Sequence, residues 1–377
     1  MCPNNHDHPW DNMIREGIHM HPLVDLIHSD RHKEADYIIH IADREEQMRE
    51  EEGGRVCPGP FPKKTLVMDE TDRPYLAIDE SWQKDVEIAD VSYLRTKYLA
   101  LFKRSFVEKD TSEPVKQLLG FRVPASTRPS QFPIQYPILQ KFLREGSFPQ
   151  WEQRKLDIST LLRDEFYEQD QPEGTVKTGA RSIAQQWMQK YVDEHNITRY
   201  HRGTNDGDRG EADRGYFEVL WETKILVTCN PSFWEGDHRT GEALAAGAMV
   251  LVDIITGEAL AAGAMTLVDV MWAPRQFPLI SGWHAILYDA SDEEDFMDKL
   301  HYYHTHDDEA RKVAARGLYH AQRYFNTATF VDYVLITAEE LTGRAAKHEY
   351  VRTGLQVLKD FNHMYDIQQR SIYPWRR

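Results

Sequence analysis

Arg239 and Glu242 stand three residues apart at the head of the segment GDHRTGEALAAGAMVLVD (Gly236–Asp253), where the composition turns from polar to small and apolar. An arginine offers a planar fork of donors that matches phosphate oxygens. A carboxylate accepts hydrogen bonds from vicinal hydroxyls such as those of a ribose. GEALAAGA reads as a short helix of small residues, able to lie close to a sheet or a ligand. MVLVD reads as a parallel strand buried on both faces and ending in Asp253. Ligands of such sheets bind beyond the carboxyl ends of strands, at helix N-termini, where free N–H groups and the dipole favour an anion. A glutamate in a first helical turn is equally well explained by the dipole alone, so both roles stay open for Glu242.

The segment occurs twice. Thr240–Ile255 (TGEALAAGAMVLVDII) and Thr256–Met271 (TGEALAAGAMTLVDVM) agree at thirteen of sixteen positions. The first copy follows WEGDHR, which supplies Arg239; in the second, Ile255 takes the equivalent place before Glu258, and the copy runs on into MWAP. The arginine marks the first copy as the one equipped for chemistry. The second reads as a surplus helix–strand unit from a segmental duplication, far too short for a solenoid.

Other residues have chemical potential. Arg181, in TGARSIAQQW at an expected helix start, is a second phosphate ligand or a solvated helix arginine. MDETD places Asp69, Glu70 and Asp72 just after a strand; Asp69 and Asp72 are candidate general bases toward an acceptor hydroxyl, against the plainer reading of an acidic turn. In FKRS, Lys103 and Arg104 either offset a leaving diphosphate or are solvated. His6, His8, His19, His21, His28, His32 and His40 crowd the N-terminal region, but no Cys or carboxylate frame completes a zinc site, and no metal is expected. NDGD (Asn205–Asp208) reads as a loop. Neither GxxxxGK nor a strand-following GxGxxG is present, so nucleotide-hydrolase and dinucleotide readings lack their phosphate loops.

The elements that must hold these residues alternate between strand and helix. Strand-like runs fall at Ala35–Asp43, Lys64–Asp72 and Tyr98–Val107, the last compatible with helix as well. Val123–Trp151, rich in Pro and Ser, reads as loop and linker. A second series follows: KLDISTLL strand, GARSIAQQWMQKYVDEH helix, NITRYHRG strand, GYFEVLWET helix, KILVTC strand, the repeated unit, HAILYD strand and two helices to Phe325. Helical segments from about Thr327 to Arg344 and Ala345 to Asn362 close the chain and are expected to pack back on the first domain. The pattern predicts an α/β protein with parallel, doubly wound sheets.

With 377 residues, 41% of them apolar, the chain can bury two cores. A net charge of −16 disfavours nucleic acid and anionic membrane as general partners. Three cysteines without metal spacing fit a reducing compartment. The N-terminus has no apolar run of a signal peptide, and no stretch is long and apolar enough for a membrane span, so a cytoplasmic protein is expected.

Lys224–Asp253 resembles the donor-site region of GT-B glycosyltransferases, in particular exostosin-like and "glycosyl transferases group 1"-like proteins. The shared features are a strand, a polar loop, Arg-x-x-Glu-Ala, an Ala/Gly pair and an apolar strand: Arg239, Glu242, Ala243, Ala246 and Gly247. The downstream stretch from Ala273 to Gly317 is similar too, and the likeness runs over roughly Lys155 to Phe325. The resemblance implies two Rossmann-like domains of GT-B type: residues 1–150 on the acceptor side, 151–326 binding a nucleotide sugar, and 327–377 as a C-terminal helical segment. It implies that Glu242 binds the ribose and Arg239 the diphosphate of a UDP- or GDP-linked donor, without a further cofactor. The acceptor is a glycan, a protein or a small molecule. Glu235 and Glu242 are separated by six residues where the retaining pattern has seven, so the stereochemistry stays open. The alternative is a non-catalytic binding or structural protein of the same fold, inactivated by the repeat.

Overall fold

The computed structural model describes residues 9–21, 24–27, 31, 33–42, 62–69, 99–103, 127–130, 133, 149–162, 180–203, 214–229, 238–254, 279–289 and 292–344. In chain order the elements are α1 (Pro9–Met20), β1 (Ile38–Ala42), β2 (Thr65–Asp69), β3 (Ala100–Lys103), β4 (Thr127–Pro129), β5 (Leu156–Thr160), α2 (Ala180–Glu194) and β6 (Tyr200–Arg202). There follow α3 (Arg214–Glu222), β7 (Thr223–Thr228), α4 (His238–Ala245), β8 (Met249–Ile254), β9 (Ile286–Asp289), α5 (Glu293–Thr305), α6 (Asp307–Tyr324) and α7 (Thr327–Leu341). The described residues fall into two units, one within Met1–Gln135 and Asn326–Arg370, the other within Tyr136–Trp272 and Leu279–Phe325.

The first unit holds a parallel sheet in the order β1-β2-β3-β4. Leu66, Val67, Met68, Ala100 and Phe102 are buried, as a strand covered on both faces requires. The ambiguous run at Tyr98–Val107 is therefore strand at its centre. β4 falls inside the stretch expected to be loop. It is three residues long, too short to show a period, and lies at the sheet edge, where Pro129 with no N–H to donate is tolerated.

α7 belongs to this unit although it follows the other one in sequence. Asn326 caps it, the side chain accepting the Thr329 N–H at 2.8 Å. It packs on α1 at Gly17, where a Cβ would stand 2.4 Å from the Thr327 carbonyl oxygen. Phe102 meets Tyr333 edge-on at 5.6 Å, and His21 Nε2 lies 2.6 Å from Asp332 Oδ1. The expected last helical segment, from Ala345, lies outside the described residues.

The second unit is a five-stranded parallel sheet in the order β6-β5-β7-β8-β9. On one face α2 and α5 bring Ala184, Met188, Tyr191, Phe296 and Leu300 into one core with Ile158, Ile225, Val227, Met249, Leu251, Ile286 and Tyr288. α3 and α6 each pack on α4, and the first half of α6 also adds Ala310, Val313 and Ala314 to that core. Met249, Val250, Leu251 and Val252 are all fully buried, which accounts for the unbroken apolar run in β8.

The AAGA of the repeated motif is a helix stop. Gly247, at φ 71°, donates to the Leu244 carbonyl at 2.9 Å, and Ala248 to that of Ala243 at 3.0 Å. This is the Schellman arrangement, in which the left-handed position favours glycine. Arg154 seals the same helix end. It is 3% exposed, and its Nη2 donates to the Ala246 carbonyl at 2.8 Å while Nη1 donates to that of Thr223 at 2.5 Å. Burial pulls the guanidinium down to about 10, so it stays charged at neutral pH and complements the negative end of the helix.

The first copy of the repeat supplies α4 and β8, and β8 is hydrogen-bonded to β7 on one edge and β9 on the other. Both edges being taken, the sheet has no slot beside β8 for a second such strand. The second copy lies outside the described residues, in the connection from β8 to β9. Deleting Ile255–Val270 leaves residues 271–285 to make the parallel crossover, which needs roughly a dozen residues. The deleted form is expected to melt at the same temperature as the full chain or higher; a deletion that unfolds the protein would show the second copy to be integral.

His284, in the turn before β9, is buried against His320 of α6 with ring centroids 4.2 Å apart. Burial first, then His320 and Arg316, push its pKa down to about 3. The unfolded chain thus binds the proton that the folded chain refuses, between the ordinary histidine value near 6.5 and about 3. Stability must fall as pH drops through that window, by about 2 kcal/mol at pH 5 from this residue. His284→Gln should flatten the acid limb of a melting-temperature profile; an unaltered limb would contradict the assignment.

Candidate functional site

The strand order places a topological switch point between β5 and β7. From β5 the chain moves outward to β6, then resumes on the other side of β5 with β7. Connections leaving the carboxyl ends of these two strands diverge to opposite faces, and the crevice between them is where open α/β sheets take ligands. Two helices begin there. α4 follows β7. α2 follows β5, and the short link 195–199 ties its far end to the start of β6. Near the head of α2, Gln185 Nε2 donates to the Leu162 carbonyl at 2.6 Å, just past the end of β5.

Arg181 and Arg239 are the second residues of α2 and α4, so the topology brings both candidate phosphate ligands to the carboxyl end of the sheet beside the switch point. α4 starts at His238, three residues before the expected start at Gly241. Arg239 therefore lies in the first turn and Glu242 in the second, which corrects the expectation of a first-turn glutamate. Arg239 is 7% exposed. It brings a cation to the end of the helix that already carries the positive end of the dipole, a combination that an anion relieves. Thr240 Oγ1 and Gln185 Oε1 are buried and lack a hydrogen-bond partner among the described residues, so the neighbourhood holds unsatisfied polar capacity.

Glu242 is half-buried, and its Oε2 accepts a hydrogen bond from the Tyr216 hydroxyl. Tyr216 sits in the first turn of α3, packed beside α4. Sequence reasoning missed it, because the contact joins two helices with no shared motif. Arg154 was missed too; an arginine between a tryptophan and a strand carries no pattern that announces burial.

In the first unit, Asp69 and Lys103 are register partners at the carboxyl ends of β2 and β3. The structure therefore brings one residue of each expected cluster together on one sheet edge. Asp72, Arg104 and Glu70 lie outside the described residues, as do Glu235, Glu258, the NDGD loop and His6, His8, His28 and His32. His19 is exposed and His21 is engaged by Asp332. Among the described residues, no group of three or more His, Cys, Asp or Glu could hold a metal ion. No helix among them is long and apolar enough to cross a membrane.

One family model matches part of the chain, mostly within the second unit. Residues 199–335 match the profile of a family described as glycosyl transferase-like, a span running from the start of β6 into α7 and containing Tyr216, Arg239 and Glu242. The chain thus carries a glycosyl transferase-like domain there. None of the curated proteins matches. Among solved structures, a glycosyltransferase from Rickettsia africae is similar at 10% identity and TM-score 0.43, over 91% of this chain and 84% of that one. The Anabaena HepE protein in complex with UDP-glucose is similar at 10% identity and TM-score 0.40, over 73% and 72%. An α,α-trehalose-phosphate synthase (UDP-forming) from Burkholderia vietnamiensis is similar at 9% identity and TM-score 0.44, over 75% and 69%.

Proposed function

We propose that the chain is a nucleotide-sugar-dependent glycosyltransferase whose second unit holds the donor and whose first unit serves the acceptor. The observation that carries this reading is the pair Arg239 and Glu242 on one helix at the switch point, within the glycosyl transferase-like match. The donor is a UDP- or GDP-linked sugar. Its diphosphate lies over the head of α4, held by Arg239 and by Arg181 from α2. Glu242 accepts from the ribose hydroxyls. An acceptor oxygen attacks the anomeric carbon as the bond to the diphosphate oxygen breaks. The proton of the acceptor hydroxyl passes to a carboxylate, Asp69 or Asp72, and the electron pair leaves with the nucleoside diphosphate. Charge grows on that leaving oxygen in the transition state, where a preorganised helix terminus and arginines act without a metal. The reaction takes place in the cytoplasm.

One observation favours a second reading. The extra copy is inserted in the connection that leaves the carboxyl end of β8, the strand next to β7 on the ligand-binding side of the sheet. A chain in which that insertion blocks the reaction would bind the nucleotide without turning it over. Incubation with UDP- and GDP-sugars separates the readings: steady release of nucleoside diphosphate supports the enzyme, and saturable binding without release supports the non-catalytic protein. Absence of both sinks the two together.

A further inference from the structure

Glu242 is not left to orient itself. Its Oε2 accepts a hydrogen bond from the Tyr216 hydroxyl, and the two residues come from neighbouring helices, α3 and α4, on one face of the sheet. α3 begins at Arg214, after β6, and runs directly into β7 at Thr223. Tyr216 in its first turn therefore stands at the same carboxyl end of the sheet as Arg239. Its ring meets Phe217 edge-on at 5.2 Å, and Phe217 and Leu220 are buried beneath the helix, so α3 is anchored by its apolar side.

A glutamate on a helix has three rotatable torsions, and a half-buried one loses much of its value as a ligand if those are unset. A phenol holds one carboxylate oxygen without adding charge. It fixes the plane in which the carboxylate presents itself to a diol. We infer that Tyr216 is a positioning residue for recognition of the ribose: it acts through Glu242 and makes the site select a ribonucleotide over its deoxy forms. This rests on the proposed donor site, and the test is built to fail separately from it.

The experiment measures affinities of UDP, GDP and their 2′,3′-dideoxy forms for the full chain, for Tyr216→Phe, for Glu242→Ala and for the double variant. Wild type is expected to prefer the ribonucleotide. Tyr216→Phe should weaken ribonucleotide binding by about tenfold, the loss of a charge-assisted hydrogen bond. The dideoxy forms should bind Tyr216→Phe and wild type equally. In the Glu242→Ala background the tyrosine change should have no further effect, as two steps in one chain of contacts require. An equal loss for ribo and dideoxy forms, or no loss at all, overturns the inference while leaving the nucleotide site standing. A wild type that binds neither UDP nor GDP overturns the donor site and the inference with it.

Discussion

Replacing Arg239 by Ala is expected to weaken binding of the nucleoside diphosphate by about 2–3 kcal/mol, and Glu242→Ala by about 1–3 kcal/mol. Arg239 has the larger effect because a buried guanidinium gives charge-assisted, two-pronged bonds to phosphate, and Arg239 is 7% exposed. Glu242 works at a second point on the ligand but lies one helical turn from Arg239, so the double variant should depart from the sum of the two losses. Glu258→Ala in the second copy should change nothing. Titration calorimetry on variants with wild-type melting temperatures reads all three; unchanged affinity in both Arg239→Ala and Glu242→Ala would remove these residues from the site.

Gly317→Val should be among the most damaging single changes in the second unit. Gly317 lies where α6 crosses α4, and a Cβ there would stand 2.5 Å from the His284 carbonyl oxygen and 2.5 Å from Leu244 Cδ2. The leucine end can rotate; the backbone oxygen cannot give way without moving the turn that leads into β9. Overpacking of the Cβ against a fixed backbone is expected to cost about 3 kcal/mol, and Gly317→Ala, which carries the same Cβ, should already bear part of it. Because α4 bears Arg239 and Glu242, the valine variant should also bind nucleotide poorly at temperatures where it remains folded. Denaturant midpoints check the first effect, and a near-wild-type midpoint would mean that the two helices are not held at this distance.

The alternation of strand and helix was plain in the sequence because the strands are buried on both faces and therefore read as continuous apolar runs, as at Lys224–Cys229 and Met249–Val252. β4 was not plain: a three-residue edge strand ending in proline has neither a period nor an apolar run. The pair Arg239 and Glu242 was legible since both sit on one helix, and their spacing survives in the chain. Tyr216 and Arg154 were illegible for the opposite reason. Each acts across the fold, on Glu242 and on the Ala246 carbonyl, and such a contact exists only once β5, β7 and β8 have been laid side by side. The duplication itself was visible at once, yet only the sheet shows where the first copy lies: it supplies α4 and β8, and β8 is bracketed by β7 and β9.

The measurement that bears most directly on the central claim is equilibrium titration of the wild-type chain with UDP- and GDP-sugars and with the free diphosphates. Saturable binding at one site is expected for one of the two nucleotides, with the free diphosphate binding comparably to the sugar-linked form, since the proposed ligands Arg239, Arg181 and Glu242 would hold the nucleotide and not the sugar. No saturable binding of either nucleotide, in a sample whose fold is intact by circular dichroism, would contradict it.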